Sequence, residues 1–456
     1  MNNEGWFWAL AGLSAVGLGL LIALGASGAG VVLMAILATL LMAGIASTLR
    51  RPVDAAWLTR WVTLGFIAKI LGSFARYYMV QYVYGSGDSL SYYTAGTYLA
   101  GQWRSGTIPP LSAGGGGGFG TQVVESFTGG LFAIFTPDLL GGFVMFSMLS
   151  FLGQLGLYAA FRRWAKPHQL KPYAFLVLFF PTFAFWPSSI GKDALVILCL
   201  GLAAYFISRL LESFELRWIL PLGLALTGLG LIRIHIAGLV ALALVAALLV
   251  SKLRIGAGFL ARGRKLLTFA GAAAAVVLAV TLIPDIVGLE LGDLEDITPF
   301  TTEITRRTSE DGTIAAGSPV ASIVDVPGAV ALVLFRPYLF EATELQHFLA
   351  AAETTLILLL SLWRFPAMIR NWREWRNNAY LVFCTLYTLA FAVAFSVVRN
   401  LGIIARQRGQ VLAFFLAVVI GLGWNETKKV TRGRIPIGTM LPEPAEPEVS
   451  GMAVHR

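Results

Sequence analysis

Apolar runs long enough to cross a lipid bilayer recur along this chain from end to end. That recurrence limits the fold more than any other feature. A segment in hydrocarbon must satisfy its own backbone hydrogen bonds, so it is either a helix of about 20 apolar residues or part of a closed barrel. No alternating barrel pattern appears. Of 456 residues, 57% are hydrophobic and only 13% are charged, whereas a soluble chain carries roughly one quarter charged residues. The expected fold is all-α, a polytopic transmembrane helical bundle.

About twelve spans are expected, near 6–26, 29–48, 57–84, 131–161, 173–187, 190–210, 218–232, 236–251, 266–287, 343–363, 379–398 and 410–424. The opening "MNNEG" carries no basic residue, so the first run reads as a retained helix rather than a signal peptide. Residues 218–251 are too many for one ordinary span, and Arg233 and His235 interrupt them. They are expected to form a hairpin of two short helices. With this count, the basic stretches "LRRPVD", "RRWAKPHQLK", "SKLRIGAGFLARGRK", "WRFPAMIRNWREWR" and "KKVTRGR" all fall on one face. By the positive-inside rule that face is cytoplasmic, and both termini lie there. The net charge of +9 is thereby explained across the bilayer, without nucleic acid.

The integral membrane domain is expected over 1–434, with a disordered, Pro- and Glu-rich cytoplasmic tail over 435–456. Two long extracytoplasmic loops follow, about 85–130 and 288–342. In the first, 90–103 reads as an interfacial helix and 114–118 as a glycine tether. In the second, "VPGAVALVLFRPYLFE" is too short to span and reads as a re-entrant or interfacial segment. Cys199 and Cys384 lie in apolar runs and suggest neither a disulfide framework nor a metal site.

In "VVRNLGIIARQRGQVLAFFLAVVI" three arginines separate two apolar runs, and the orientation puts them outside. Arg399, Arg406, Arg408, Arg336, Arg233 and Lys192 then share one level of the bilayer, on the face that disfavours cations. Lys69 and Arg76 fall inside the third span. Charges at such a level need a counter-charge. Two readings stand open. Private ion pairs such as Arg336 with Glu341, or Lys192 beside Asp193, are one. A shared polyanion, gripped bidentately by guanidinium groups, is the other. Arg399 and Arg406 are seven residues apart and share a face if the helix is continuous. "FWPSSIGKDAL" looks like a helix start, so Ser188 and Ser189 with Lys192 form either a phosphate cradle or an ordinary cap.

Asp88 lies in the Gly/Ser turn "YGSGDSLSYYTAG", among Tyr82, Tyr84, Tyr92 and Tyr93. It reads either as a general base for an acceptor hydroxyl or as a turn acid. His235 is an accessory candidate for proton transfer. Asp293 and Glu295 in "GDLED" are weak candidates for a divalent cation, and no cofactor is expected. HExxH, P-loop and Gly-x-Ser-x-Gly patterns are absent.

Three stretches, "GDSLSYYTAG", "FWPSSIGKDAL" and "RNLGIIARQRGQVLAFFLAV", resemble bacterial membrane glycosyltransferases of the GT-C type and the related O-antigen or exopolysaccharide polymerase-like proteins. The resemblance implies a polyprenyl-phosphate- or pyrophosphate-linked saccharide donor, a glycan or lipid acceptor, and transfer on the outer face of the bacterial inner membrane. Asp88 would then be the base, and the arginines would hold the lipid phosphate. Asp88 stands alone where the family often has paired acids, and two short spans precede the loop where one is usual. The rival expectation is a transporter or flippase of lipid-linked saccharides or another anion, for which twelve spans and a broken helix at Arg233 are also suitable.

Overall fold

The computed structural model of the protein describes residues 55–115, 118–135, 137–213, 215–250, 323–342, 345–396, 398 and 400–424. The expected spans at 6–26, 29–48 and 266–287, the tail, Arg399, Asp293 and Glu295 lie outside them. The described residues are all-helical, with no strand among them. Four helices are long and apolar enough to cross a membrane: Leu139–Arg162, Lys192–Ser213, Ile219–Val250 and Phe348–Arg370. Val326–Phe335, Ala379–Phe395 and Gly409–Gly423 are apolar but shorter.

Helix α1 (Ala55–Tyr78) runs into a π-helical turn, Met79–Tyr84. Gly85 and Gly87 follow at φ 65° and 130°, values that favour glycine, and they turn the chain into α2 (Asp88–Arg104). This is the helix expected over 90–103. Next comes α3 (Phe119–Ile134). The span expected over 131–161 is corrected here: α3 ends at Ile134 and α4 (Leu139–Arg162) starts anew, with Asp138 accepting from the Gly141 N–H as its cap.

Helix α5 (Pro167–Phe179) stops short of the expected 173–187 span. Phe180 is extended because Pro181 follows it, and Pro181 opens a single turn, Pro181–Ala184. Residues 185–191 are non-helical and largely buried. Bare backbone inside a bundle needs partners, and side chains from neighbouring helices supply them. Lys69 Nζ donates to the Phe183 carbonyl at 2.6 Å, Gln154 Nε2 to the same oxygen at 2.9 Å, and Ser150 Oγ to the Pro187 carbonyl at 2.7 Å. Helix α6 (Lys192–Ser213) then runs beside α4 in the same direction. A Cβ added at Gly201 would collide with the Gly153 carbonyl. Backbones this close are the signature of small-residue packing between membrane helices.

Helix α7 (Ile219–Val250) is interrupted at Arg233, whose φ −146° and ψ 86° are not helical. Positions seven apart on a straight helix lie about 10 Å apart along its axis. Here a Cβ at Gly230 would come within 3.8 Å of the Ala237 Cβ. The contacts of each arm complete the picture. Going down the first arm, Gly228 meets Cys199 and Trp218 meets Arg209, so this arm is antiparallel to α6. The second arm begins with His235 near Phe395 and ends with the Val250 carbonyl near Arg376. Both arms therefore start from one end of the bundle and meet at Arg233 at the other, as a folded-back pair.

The apolar segment α8 (Val326–Phe335) is a separate short helix. It is followed by α9 (Leu345–Arg370), α10 (Ala379–Phe395), α11 (Leu401–Gln407) and α12 (Gly409–Gly423). Stacked Phe383 and Tyr387, with Phe414 edge-on against both, fill the core between α10 and α12. The start of α2, the start of α6, the bend of α7 and the short α11 all gather at one end of the bundle, joined by the ion pairs described next.

Candidate functional site

Four broken backbones deliver the charges. Asp88 sits in the first turn of α2, placed there by the two glycines before it. Asp193 sits in the first turn of α6. Arg233 is the bend residue of α7. Arg406 is carried by α11, a helix that begins at Leu401 with Asn400 Oδ1 accepting from the Ile403 N–H at 3.0 Å. Arg399, the other end of the expected seven-residue spacing, lies outside the described residues.

Asp193 is the hub. One carboxylate oxygen accepts from Arg233 Nη2 at 2.9 Å and the other from Arg406 Nε. Arg406 Nη1 reaches outward to Asp88 Oδ2 at 3.1 Å. The two acids differ in setting: the Asp193 side chain is 11% exposed and that of Asp88 is 60% exposed. Chiefly through Asp193, the Arg406 guanidinium is held above its ordinary pKa. Asp193 is thus more than the neighbour of Lys192. Adjacent helical residues point about 100° apart, and Lys192 turns instead to Thr121, donating from Nζ to Oγ1 at 2.8 Å.

Tyr92, one turn beyond Asp88, is buried beside Thr121, and burial first, then the Asp88 charge, pushes its phenol up to about 12. It remains a neutral hydroxyl at the site. Tyr93 packs edge-on against Phe132, 5.8 Å between centroids, and so belongs to the α2–α3 packing. His235 lies 5.9 Å from the Phe395 ring and within electrostatic range of Arg233 and Lys192. Ser188 does not form a cradle. Its Oγ donates to the Ala184 carbonyl at 2.6 Å, and α6 begins only at Lys192. Ser189 is buried in the same non-helical stretch.

Arg336 and Arg408 belong to a different cluster, which divides the single ring of cations expected at this level. Arg336 is bidentate to Glu341, with Nε to Oε2 at 3.1 Å. Arg408 is 1% exposed and donates to two carbonyls at the end of α8, those of Val333 (3.2 Å) and Arg336. Glu353 lies within electrostatic range of Arg408 and accepts from the Thr182 N–H at 3.2 Å. Among the described residues, no hydrogen bond or ion pair joins this cluster to Asp193 or Asp88.

Two residues of the site escape sequence reading. Arg76 on α1 is 8% exposed and within electrostatic range of Arg406, Asp193 and Asp88. Its signal was an ionisable residue in an apolar run, a pattern that marks function by default. Glu125 on α3 is buried, its Oε2 has no hydrogen-bond partner, and burial raises its carboxyl pKa against the pull of Lys192. One further group, Arg104, serves structure. It donates to the carbonyls of Phe132, Ala133 and Phe135 where α3 ends.

Among the described residues no group of three or more His, Cys, Asp or Glu side chains forms a metal site. The arrangement holds four cations, Arg76, Lys192, Arg233 and Arg406, around three carboxyl groups, Asp88, Asp193 and Glu125. Such a surplus of positive charge, with one accessible carboxylate, suits an anion bound next to a base. Comparison with protein-family models, with curated protein sequences and with solved structures finds no match for this chain.

Proposed function

We propose that this protein is a membrane glycosyltransferase or polysaccharide polymerase that moves sugar units from a polyprenyl-(pyro)phosphate-linked donor to a glycan or lipid acceptor. In this reading the chain has about twelve spans in a bacterial inner membrane, with both termini cytoplasmic, and the Asp88–Asp193 end of the bundle faces the extracytoplasmic side. One observation carries the reading: the exposed Asp88 carboxylate is held by Arg406, which is itself anchored on the buried Asp193–Arg233 pair.

Asp88 accepts the proton of the acceptor hydroxyl as its oxygen bonds to the anomeric carbon. The bond from that carbon to the carrier phosphate oxygen breaks, and its electron pair leaves on the phosphate. The surplus cations stabilise that developing charge in a site already ordered before substrate arrives. Arg406 Nη1 is the natural meeting point. A phosphate that takes this donor from Asp88 releases the carboxylate toward the acceptor.

In a transfer assay with lipid-linked sugar, Asp88→Asn is expected to lower turnover by about a hundredfold or more while donor binding persists. Unchanged turnover would remove Asp88 as base. The non-helical Arg233 midway along an apolar segment favours the second reading, a transporter or flippase of lipid-linked saccharides. Movement of a labelled lipid across sealed proteoliposomes without transfer would select it.

A further inference from the structure

We infer that Arg76 is the residue that grips the phosphate of a prenyl-linked substrate, and that this head group enters from the Asp88 end of the bundle. The inference takes its ligand class from the reading above and its residue from the following geometry.

Helix α1 packs backbone to backbone on the end of the Pro181–Ala184 turn, where the non-helical stretch begins. A Cβ at Gly72 would collide with the Ala184 carbonyl. One turn later, the Arg76 guanidinium lies over the rings of Phe185 and Trp186, 5.1 and 5.3 Å from their centroids. Aromatic faces fix the plane of a guanidinium without using its N–H donors. Those donors are idle: Nε has no hydrogen-bond partner, and among the described residues no ion pair or hydrogen bond reaches the group. Arg233 and Arg406, by contrast, are both engaged with Asp193. A buried, oriented arginine with no ion pair of its own, beside a second arginine and with Asp193 and Asp88 only at longer range, leaves room for an anion.

The exposed face of α1 is turned away from Arg76. Leu64, Leu71 and Tyr78 form an exposed stripe at seven-residue spacing on α1. Past Arg76 the π-helical turn exposes Tyr82 and Tyr84, with Tyr78 and Tyr82 rings 5.4 Å apart. π-Helical turns are frequent at functional sites. Beyond this turn lies the end of the bundle where the Asp88 side chain is 60% exposed, and the phosphate reaches Arg76 from that end.

Binding to the full-length protein in nanodiscs tests this with farnesyl phosphate, farnesol and inorganic pyrophosphate as probes. Farnesyl phosphate is expected to bind at least about tenfold more tightly than either of the others. Arg76→Gln should weaken it about tenfold or more, and Arg76→Lys less, because lysine keeps the charge and loses the fork. In the unsubstituted protein, a photoreactive farnesyl phosphate analogue should label residues within 71–90 or 181–191, a readout that does not depend on a variant folding. Labelling only elsewhere, unchanged affinity in Arg76→Gln, or equal binding of inorganic pyrophosphate would overturn the inference, the last by making the source aqueous. Binding that depends on Arg76 in a protein without transfer activity would overturn the glycosyltransferase reading alone. Transfer with an unchanged donor KM in Arg76→Gln would overturn this inference alone.

Discussion

Two arginine clusters meet across the short helix α11, and Gln407 divides them. Arg406 looks toward Asp193 and Asp88, whereas Arg408 looks toward the carbonyls of Val333 and Arg336. In the second cluster each charge has its own local partner: Glu341 for Arg336, backbone oxygens for Arg408, and the Thr182 N–H for Glu353. In the first, two arginines share one buried acid, a lysine hydrogen-bonds only to a hydroxyl, and Arg76 has aromatic rings but no ion pair among the described residues. Residue type and depth do not separate these groups. Completeness of pairing does, and it sets the first cluster apart as the site proposed to bind substrate.

The sharpest way to break this comparison is to remove the shared acid. Asp193→Ala leaves Arg233 and Arg406 buried without their common partner, and thermal unfolding in detergent should show a loss of about 3–5 kcal/mol together with all transfer activity. Retained stability would mean the pairs are not what orders this end of the bundle. Arg408→Met tests the closed cluster. Two carbonyls and Glu353 lose their buried neighbour, so stability should fall by about 2–3 kcal/mol while the folded fraction keeps its donor KM. A large rise in KM would transfer Arg408 into the functional cluster. At the small end, Lys166 and Glu374 pair at 3.2 Å with side chains 52% and 57% exposed. Lys166→Ala should change the melting free energy by less than about 0.5 kcal/mol, which sets the scale for a surface pair.

Much of this was legible before any coordinates. An apolar segment too long for one crossing, with Arg233 and His235 at its centre, announces a fold-back, and α7 folds back there. A carboxylate after Gly-Ser-Gly at the mouth of an apolar run announces Asp88. What sequence reveals in these cases is depth along the bundle. It does not reveal azimuth, the direction in which a side chain leaves the bundle axis. Arg336, Arg406 and Arg408 were grouped by depth, and only packing sent Arg408 back to α8. Azimuth also explains why Lys192 and Asp193, adjacent in the chain, have different partners. Arg76 is hard to single out from sequence, because one charge in an apolar run resembles tolerated noise until the aromatic pair beneath it is seen. The helix breaks at Phe135 and Phe180 were hidden for a related reason: hydropathy continues through them, while a capping aspartate and a proline end the hydrogen bonding.

The folded-back pair of α7 has a consequence for the surrounding lipid. An arm of 219–232 rises only about 21 Å, while hydrocarbon is about 30 Å thick. Under the proposed topology a guanidinium at its tip lies below the lipid–water boundary, where the ion pair with buried Asp193 supplies its counter-charge. Acyl-chain length then becomes a tuning variable: thick membranes strand the tip in oil, and thin ones set it at the level of the phosphates.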